Sequence, residues 1–379
     1  MNILLANDGS LDHGGICVFM LQWVRGIKKA DNKSNVFVYF RDSIIDSEME
    51  EYFKQQETHI YQGNISRAVK FSDRLARKKV VKDISSIIEN KNIDVLHINS
   101  GVYGFTSDLL SIAQKKHVPM RIAHFHGSYP ENHIEKIIHS FLRWRITSAI
   151  TDYAGCSKEA ATVFFGKENV SSSKWHFIPN AIETDRFRFN SENRKKFRGI
   201  IGVEDDSIVL GAVGRMTVGK NHIFLIDILA ELKTKDIPVK LLILGDGMQR
   251  ENLKTYAKQR GIEEDLLLPG AINDVSGWLS AFDFYMMPSL SEGLPISAIE
   301  AQANGLVCLL SDRITTETDL TGNVYYFSVD EGVDDWVKFI MLNKPIEAVR
   351  RKQGYLSVKQ KGFDMEDTPK YVKDLYRMV

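Results

Sequence analysis

The sequence predicts an α/β protein built from two doubly wound parallel sheets. Two observations carry this expectation. Strand-sized apolar runs alternate with helical stretches along the whole chain, the pattern of βαβ units. The alternation comes in two series split by a polar stretch, and 379 residues is length enough for two domains at ~150 residues each.

In the first series, Ile3–Ala6, Val36–Tyr39, Val95–Ile98, Arg121–His124 and His176–Ile178 read as strands. Helical patterns lie between them, as at Cys17–Lys29 and Val81–Asn90. The second series places strands at Ile208–Val213, Val239–Leu244, Leu266–Leu268, Phe284–Met287 and Val307–Leu310. The break falls between Asn180 and Ser207. There Pro179-Asn180 makes a turn, and Ser191–Gly199 reads as a short basic helix capped by Ser191. The boundary is therefore placed near residue 190, giving domains at 1–190 and 191–364. Thr368–Val379 is again helical in pattern, with a Thr-Pro start suited to a helix N-terminus.

Composition excludes several classes. With 44% hydrophobic and 26% charged residues, the chain has core enough not to be disordered. Apolar runs such as Leu241–Leu244 are strand-sized, far short of the ~18–20 residues of a membrane span. The N-terminus MNILLANDGS reads as a strand and turn, not a signal peptide. Cys17, Cys156 and Cys308 lie far apart without zinc or redox spacing, so they are expected to be buried and reduced in a cytoplasmic protein. The formal net charge is zero, yet residues 61–150 hold 14 Lys and Arg against 7 Asp and Glu. Solvated helix faces explain such an excess, and so does the footprint of an anionic partner.

In doubly wound sheets, ligands bind beyond the carboxyl ends of the strands, so the loops after strands hold the candidates. After the first strand comes Asn7-Asp-Gly-Ser-Leu-Asp-His-Gly-Gly15, followed by a helix. Its paired glycines allow backbone N–H groups near an anion, or simply a tight turn. After Arg121–His124 comes His126-Gly127. His124 and His126 point the same way on an extended segment, but no third ligand lies at metal spacing. His126 is read as presenting its ring or carbonyl to a substrate, with Gly127 leaving room beside it.

In the second series, Gly214-Arg215 closes a strand and Lys220-Asn221 opens a helix, a cationic pair suited to a diphosphate or to structural salt bridges. Gly245-Asp246-Gly247 is another tight turn at a strand end. The densest signal is Ser291-Glu292-Gly-Leu-Pro-Ile-Ser-Ala-Ile-Glu300. Glu292 sits in the turn and Glu300 on the helix that follows. A carboxylate accepts several hydrogen bonds and so suits vicinal hydroxyls of a sugar or ribose. The N–H groups of Gly293, Leu294 and Ile296 cluster at the helix start, where phosphate binds.

Taken together, Gly-Arg215-x4-Lys220-Asn, Gly-Asp-Gly247 and Glu292-Gly-Leu-Pro-x4-Glu300-Ala resemble the donor-site signature of retaining GT-B glycosyltransferases, glycosyltransferase family 4. Leu290–Asp312 is similar to the bacterial exopolysaccharide and capsule branch, the EpsF-like enzymes. The resemblance implies the GT-B fold, two Rossmann-like domains facing a central cleft. The acceptor side then falls in the first domain and the nucleotide-sugar site in the second, with residues 365–379 packing back on the first. Glu300 is implied to bind the ribose hydroxyls. Arg215 and Lys220 neutralise the diphosphate, Glu292 contacts the transferred sugar, and Gly293 and Leu294 assist through their backbones. Leu268, Pro269 and the backbone leading to Gly270 hold the base. Gly214 and Gly245 sit at the same site, Gly15 abuts the diphosphate, and His126 sits at the reacting sugar.

The reaction implied is a retaining, metal-independent hexosyl transfer from a nucleotide sugar, UDP favoured, needing no cofactor. The Gly-Gly loop continues Ile-Cys-Val, where many relatives have a polar residue. The implied acceptor is an oligosaccharide on a polyprenyl diphosphate at the inner face of the cell membrane. Lys136, Arg143, Trp144 and Arg145, on a basic aromatic helical stretch, are the candidates for contact with an anionic bilayer. No nucleic-acid partner is expected. Two other readings share this sequence: a GT-B nucleotide-sugar epimerase and a non-catalytic partner subunit. The latter commonly loses the charged donor residues that are all present here.

Overall fold

The computed structural model describes residues 1–12, 14–42, 46–65, 73–126, 142–204, 207–343 and 345–378. It divides into two compact units, Met1–Ala181 with Met365–Val379, and Ile182–Asp364. The first crossing between them thus lies at 181/182, earlier than the position near 190 expected from sequence. Backbone pairing moves it. Ile182 N–H donates to Phe363 O at 2.9 Å, and the Thr184 hydroxyl bonds the Asp364 carboxylate. Asn304 Nδ2 donates to Phe187 O at 3.0 Å, so the polar stretch before 190 is already tied into the second unit.

The first unit holds seven parallel strands: β1 (Asn2–Asn7), β2 (Asn35–Phe40), β3 (Thr58–Gln62), β4 (Val95–Asn99), β5 (Met120–Phe125), β6 (Asp152–Gly155) and β7 (Trp175–Phe177), in the order β3-β2-β1-β4-β5-β6-β7. β1, β2 and β4 are mostly apolar and buried on both faces, as strands covered by helices on each side must be. β3 and β6 escape the sequence reading because Thr58-His-Ile-Tyr-Gln62 alternates weakly at the sheet edge, while Asp152-Tyr-Ala-Gly155 is only four residues long.

Helix Gly15–Ala30 buries its Phe19, Met20, Trp23, Val24 and Ile27 stripe. The terminal helix Thr368–Tyr376 packs on it within the same unit. Gly26 permits that approach, since a Cβ there would stand 2.5 Å from Thr368 Cγ2.

The second unit holds six parallel strands: β8 (Ile208–Val213), β9 (Val239–Leu244), β10 (Leu266–Gly270), β11 (Phe284–Met287), β12 (Val307–Ser311) and β13 (Val324–Phe327), in the order β10-β9-β8-β11-β12-β13. The helix after the break runs Ser191–Ile200, and its cap is Asn190, not Ser191. The Asn190 carboxamide accepts from the Glu192 and Asn193 N–H groups at 2.9 Å each. In both sheets the strand order reverses beside the first strand, at β1/β4 and at β8/β11. Those are the switch points where loops diverge and leave room for a ligand. Among the described residues, no helix is long and apolar enough to cross a membrane.

Candidate functional site

At the carboxyl end of the second sheet, three loops are stitched together by backbone bonds. Gly214 N–H donates to Leu244 O at 2.9 Å, Gly245 N–H to Gly270 O at 2.9 Å, and Met216 N–H to Asp246 O at 2.8 Å. This closeness requires glycine at 245. Its φ is 141°, and a Cβ there would stand 2.1 Å from Gly214 O. Gly214 and Arg215 follow β8 directly, with Arg215 exposed.

Lys220 closes the short turn Val218–Lys220 ahead of helix His222–Thr234. Its stem passes Gly214, where a Cβ would lie 3.5 Å from Lys220 Cε. Leu290 N–H donates to Gly219 O at 2.8 Å, pinning the loop after β11 to this turn. The two loops thereby bring Lys220 Nζ to 2.6 Å from Glu292 Oε1, with both side chains half-buried. His222 is held neutral. Burial first, then the Lys220 charge, pushes its pKa down to about 4.

Gly293, Leu294 and Pro295 complete the turn, and helix Ile296–Ala303 follows with neither a side-chain cap nor an acidic residue in its first turn. Glu300 projects from this helix. Burial pushes its pKa up to about 8, against the opposing pull of Arg186. Tyr285, buried in β11, donates its hydroxyl to Ser297 Oγ at 2.8 Å and lies within the field of both Glu292 and Glu300. The two glutamates therefore converge on one small region. At the sheet edge, Pro269 lacks an N–H, and the β10/β9 register shifts between Leu267 and Gly270. Leu268 O instead accepts from Arg250 Nη2.

The first unit carries its own group at β4 and β5. His126 lies one residue beyond β5, its Nε2 3.1 Å from Asn99 Oδ1 and its ring stacked on His124 at 4.0 Å between centroids. Phe19 packs against both rings. Burial pushes the His126 pKa down to about 3, so the ring is neutral. Gly15 opens helix Gly15–Ala30, preceded by Gly14, whose N–H donates to Asp12 Oδ1 at 2.7 Å. Lys136 and Gly127 lie outside the described residues. On helix 142–149, Arg143 donates to Val163 O at 2.7 Å and Arg145 to Ser111 Oγ at 3.2 Å, both within the unit, whereas Trp144 is 67% exposed. No group of three metal-ligating side chains occurs among the described residues.

Two family models match the chain in tandem: Glycosyltransferase Family 4 over residues 13–186, and Glycosyl transferases group 1 over residues 193–340. The chain is a group 1 glycosyltransferase with a Family 4-type N-terminal part. EpsF of Bacillus subtilis (strain 168), named as a glycosyltransferase, is 28% identical over 301 residues, 78% of this chain and 77% of its own. An Escherichia coli UDP-Gal:alpha-D-GlcNAc-diphosphoundecaprenol alpha-1,3-galactosyltransferase is 26% identical over 62% of this chain and 63% of its own. Anabaena HepE, crystallised with UDP, aligns over 100% of both chains with a TM-score of 0.78 at 15% identity, a likeness of fold alone. The fold of this glycosyltransferase is accordingly GT-B.

Several site neighbours carry no local sequence signal. Tyr285 reads as strand core, and Arg186 and Arg250 read as surface cations. Asn99 and His97 read as strand polar residues. Only the folded chain places each beside a candidate.

Proposed function

We propose that this glycosyltransferase moves a hexose-type sugar, with retention, from a UDP-sugar to an oligosaccharide on a polyprenyl diphosphate, in exopolysaccharide or capsule synthesis. The observation that carries the reading is the Lys220–Glu292 ion pair at the β8/β11 switch point. A diphosphate offers Lys220 a more highly charged partner than one carboxylate. Its arrival draws Lys220 Nζ to phosphate and releases Glu292 to accept from sugar hydroxyls. Arg215, exposed beside Gly214, adds the second cation, and Glu300 accepts from the ribose hydroxyls. The base rests against the backbone of Leu268 and Pro269, where sheet pairing is interrupted.

Retention follows a same-face path. The bond from the sugar C1 to the phosphate oxygen breaks, the acceptor oxygen bonds C1, and its proton passes to a donor phosphate oxygen. Lys220 and Arg215 stabilise charge as it builds on the leaving diphosphate, which takes the place of a metal ion. His126 is assigned to the transferred sugar. The relatives' names support the donor and acceptor classes: the Escherichia coli enzyme is named for UDP-Gal and a diphosphoundecaprenol sugar, and HepE crystallised with UDP. The enzyme is placed at the cytoplasmic face of the membrane, with Trp144 toward an anionic bilayer.

The test is transfer from 13C1-labelled UDP-glucose and UDP-galactose to undecaprenyl-diphosphate sugars in EDTA, with the product anomer read by NMR. An α-linked product formed without metal supports the reading. Product of inverted configuration, or none until metal is added, overturns it.

A further inference from the structure

Six side chains of the first unit form a continuous array that no step above uses in full. Trp23 donates its indole N–H to Tyr376 Oη at 2.8 Å, joining helix Gly15–Ala30 to the terminal helix. Tyr376 Oη stands 2.8 Å from His97 Nδ1, and His97 Nε2 stands 3.2 Å from His124 Nδ1. The His97 and His124 rings stack at 5.4 Å and 10°, the His124 and His126 rings at 4.0 Å and 20°. Asn99 receives His126 at the far end. His97, His124 and Tyr376 are each no more than 1% exposed.

Donor and acceptor capacity gives the array a direction. Indole only donates, so the Tyr376 oxygen accepts from Trp23. The single phenolic hydrogen is buried, and among the described residues its acceptor is His97 Nδ1. Burial keeps all three imidazoles neutral, each with one N–H. His97 therefore carries its hydrogen on Nε2 and donates it to His124 Nδ1, which places the His124 hydrogen on Nε2. Among the described residues that N–H is buried without a partner, a state costing about 1–3 kcal/mol in a packed interior. At the other end, Asn99 Nδ2 donates to His97 O at 3.3 Å, so its Oδ1 accepts. His126 thus donates from Nε2 and keeps Nδ1 as an acceptor.

We propose that Trp23, Tyr376 and His97 are positioning residues that lock the tautomer of His124, and that the locked His124 ring, stacked on His126, fixes the plane of that ring while Asn99 fixes its tautomer, leaving Nδ1 as the acceptor for a substrate hydroxyl. The terminal helix is then part of the reaction machinery as well as packing. A purely hydrophobic clamp between the two helices would need neither the phenol hydroxyl nor two buried imidazoles, and it would not leave an unmet N–H beside His126. This inference rests on the assignment of His126 to the transferred sugar.

The test uses the full chain labelled with 15N-histidine and long-range 1H–15N spectra. His97 and His124 are expected as Nε2–H tautomers throughout pH 6–8. An Nδ1–H tautomer at His97 in the unmutated protein overturns the proposal, whatever the variants do. Tyr376→Phe keeps the ring and removes the one hydroxyl. It is expected to unlock the His97 tautomer and to lower turnover about ten-fold with the donor KM changed less than two-fold. Trp23→Phe, which removes the donor to Tyr376 together with part of the buried ring packed on His97 and Tyr376, should move turnover in the same direction. Native tautomers and native turnover in a folded Tyr376→Phe protein overturn the coupling. Unchanged turnover in His126→Ala would instead overturn the assignment of His126 beneath it.

Discussion

The proposed contact of Glu300 with the ribose hydroxyls predicts that nucleotide affinity rises with pH. Burial raises its pKa to about 8 from an ordinary 4.5. At pH 7 the free site is then only about 10% ionised. Ribose hydroxyls donating to the carboxylate favour the charged form and return its pKa toward the usual ~4.3. Binding at pH 7 must therefore expel a proton, and UDP should bind about ten-fold more tightly at pH 9 than at pH 7, or ~1.4 kcal/mol. The affinity rises as pH climbs through 8 and flattens above it. Isothermal titration calorimetry in buffers of differing ionisation enthalpy reads both the affinity and the released proton. Glu300→Gln should abolish the slope and the proton release together. Flat affinity between pH 7 and 9, or a slope that survives Glu300→Gln, would refute the reasoning.

The same shift has a consequence for stability. The folded chain holds the Glu300 proton more tightly than the unfolded chain does, so this group's contribution falls as pH rises from about 4.5 to about 8. Glu300→Gln should accordingly raise Tm at pH 9 relative to the unmutated protein, and little at pH 4. Lys220→Ala should weaken UDP binding by ten-fold or more, since a hydrogen bond to a charged group contributes about 1.5–3 kcal/mol. Glu292→Ala should bind UDP at least as tightly as the parent, because its carboxylate competes for Lys220, while turnover falls about 100-fold. Gly245→Ala places a Cβ against Gly214 O at a φ of 141°. It should lower stability by at least ~1 kcal/mol, seen as a drop in Tm.

Much of the architecture was legible because buried parallel strands are apolar throughout. Ile208–Val213, Val239–Leu244 and Phe284–Met287 were readable to the residue. β3, β6 and β13 were not, since an edge or very short strand needs only a few apolar side chains. The break was misplaced because the stretch before Asn190 looks like linker until its pairing with Phe363 and Asp364 is known. At the candidate site, position after a strand made Arg215, Lys220 and Glu292 candidates singly, as the helix that follows did Glu300. The Lys220–Glu292 contact was hidden, because it depends on Leu290 bonding Gly219 across two loops. The histidine array was hidden for the same reason. It joins β4, β5 and the two ends of the chain, which only the fold brings together.

The central claim is that the second unit binds a uridine diphosphate donor through Lys220, Arg215 and Glu300 without metal. A thermal-shift panel of UDP, GDP, ADP and their sugar conjugates in EDTA tests it most directly. Ligand at ~100 times its Kd contributes roughly 2.7 kcal/mol. UDP and UDP-sugars should therefore raise Tm by several degrees while the other nucleotides do not, and Glu300→Ala should erase most of that rise. A folded sample whose Tm moves with none of these nucleotides, or with GDP alone, would contradict the account.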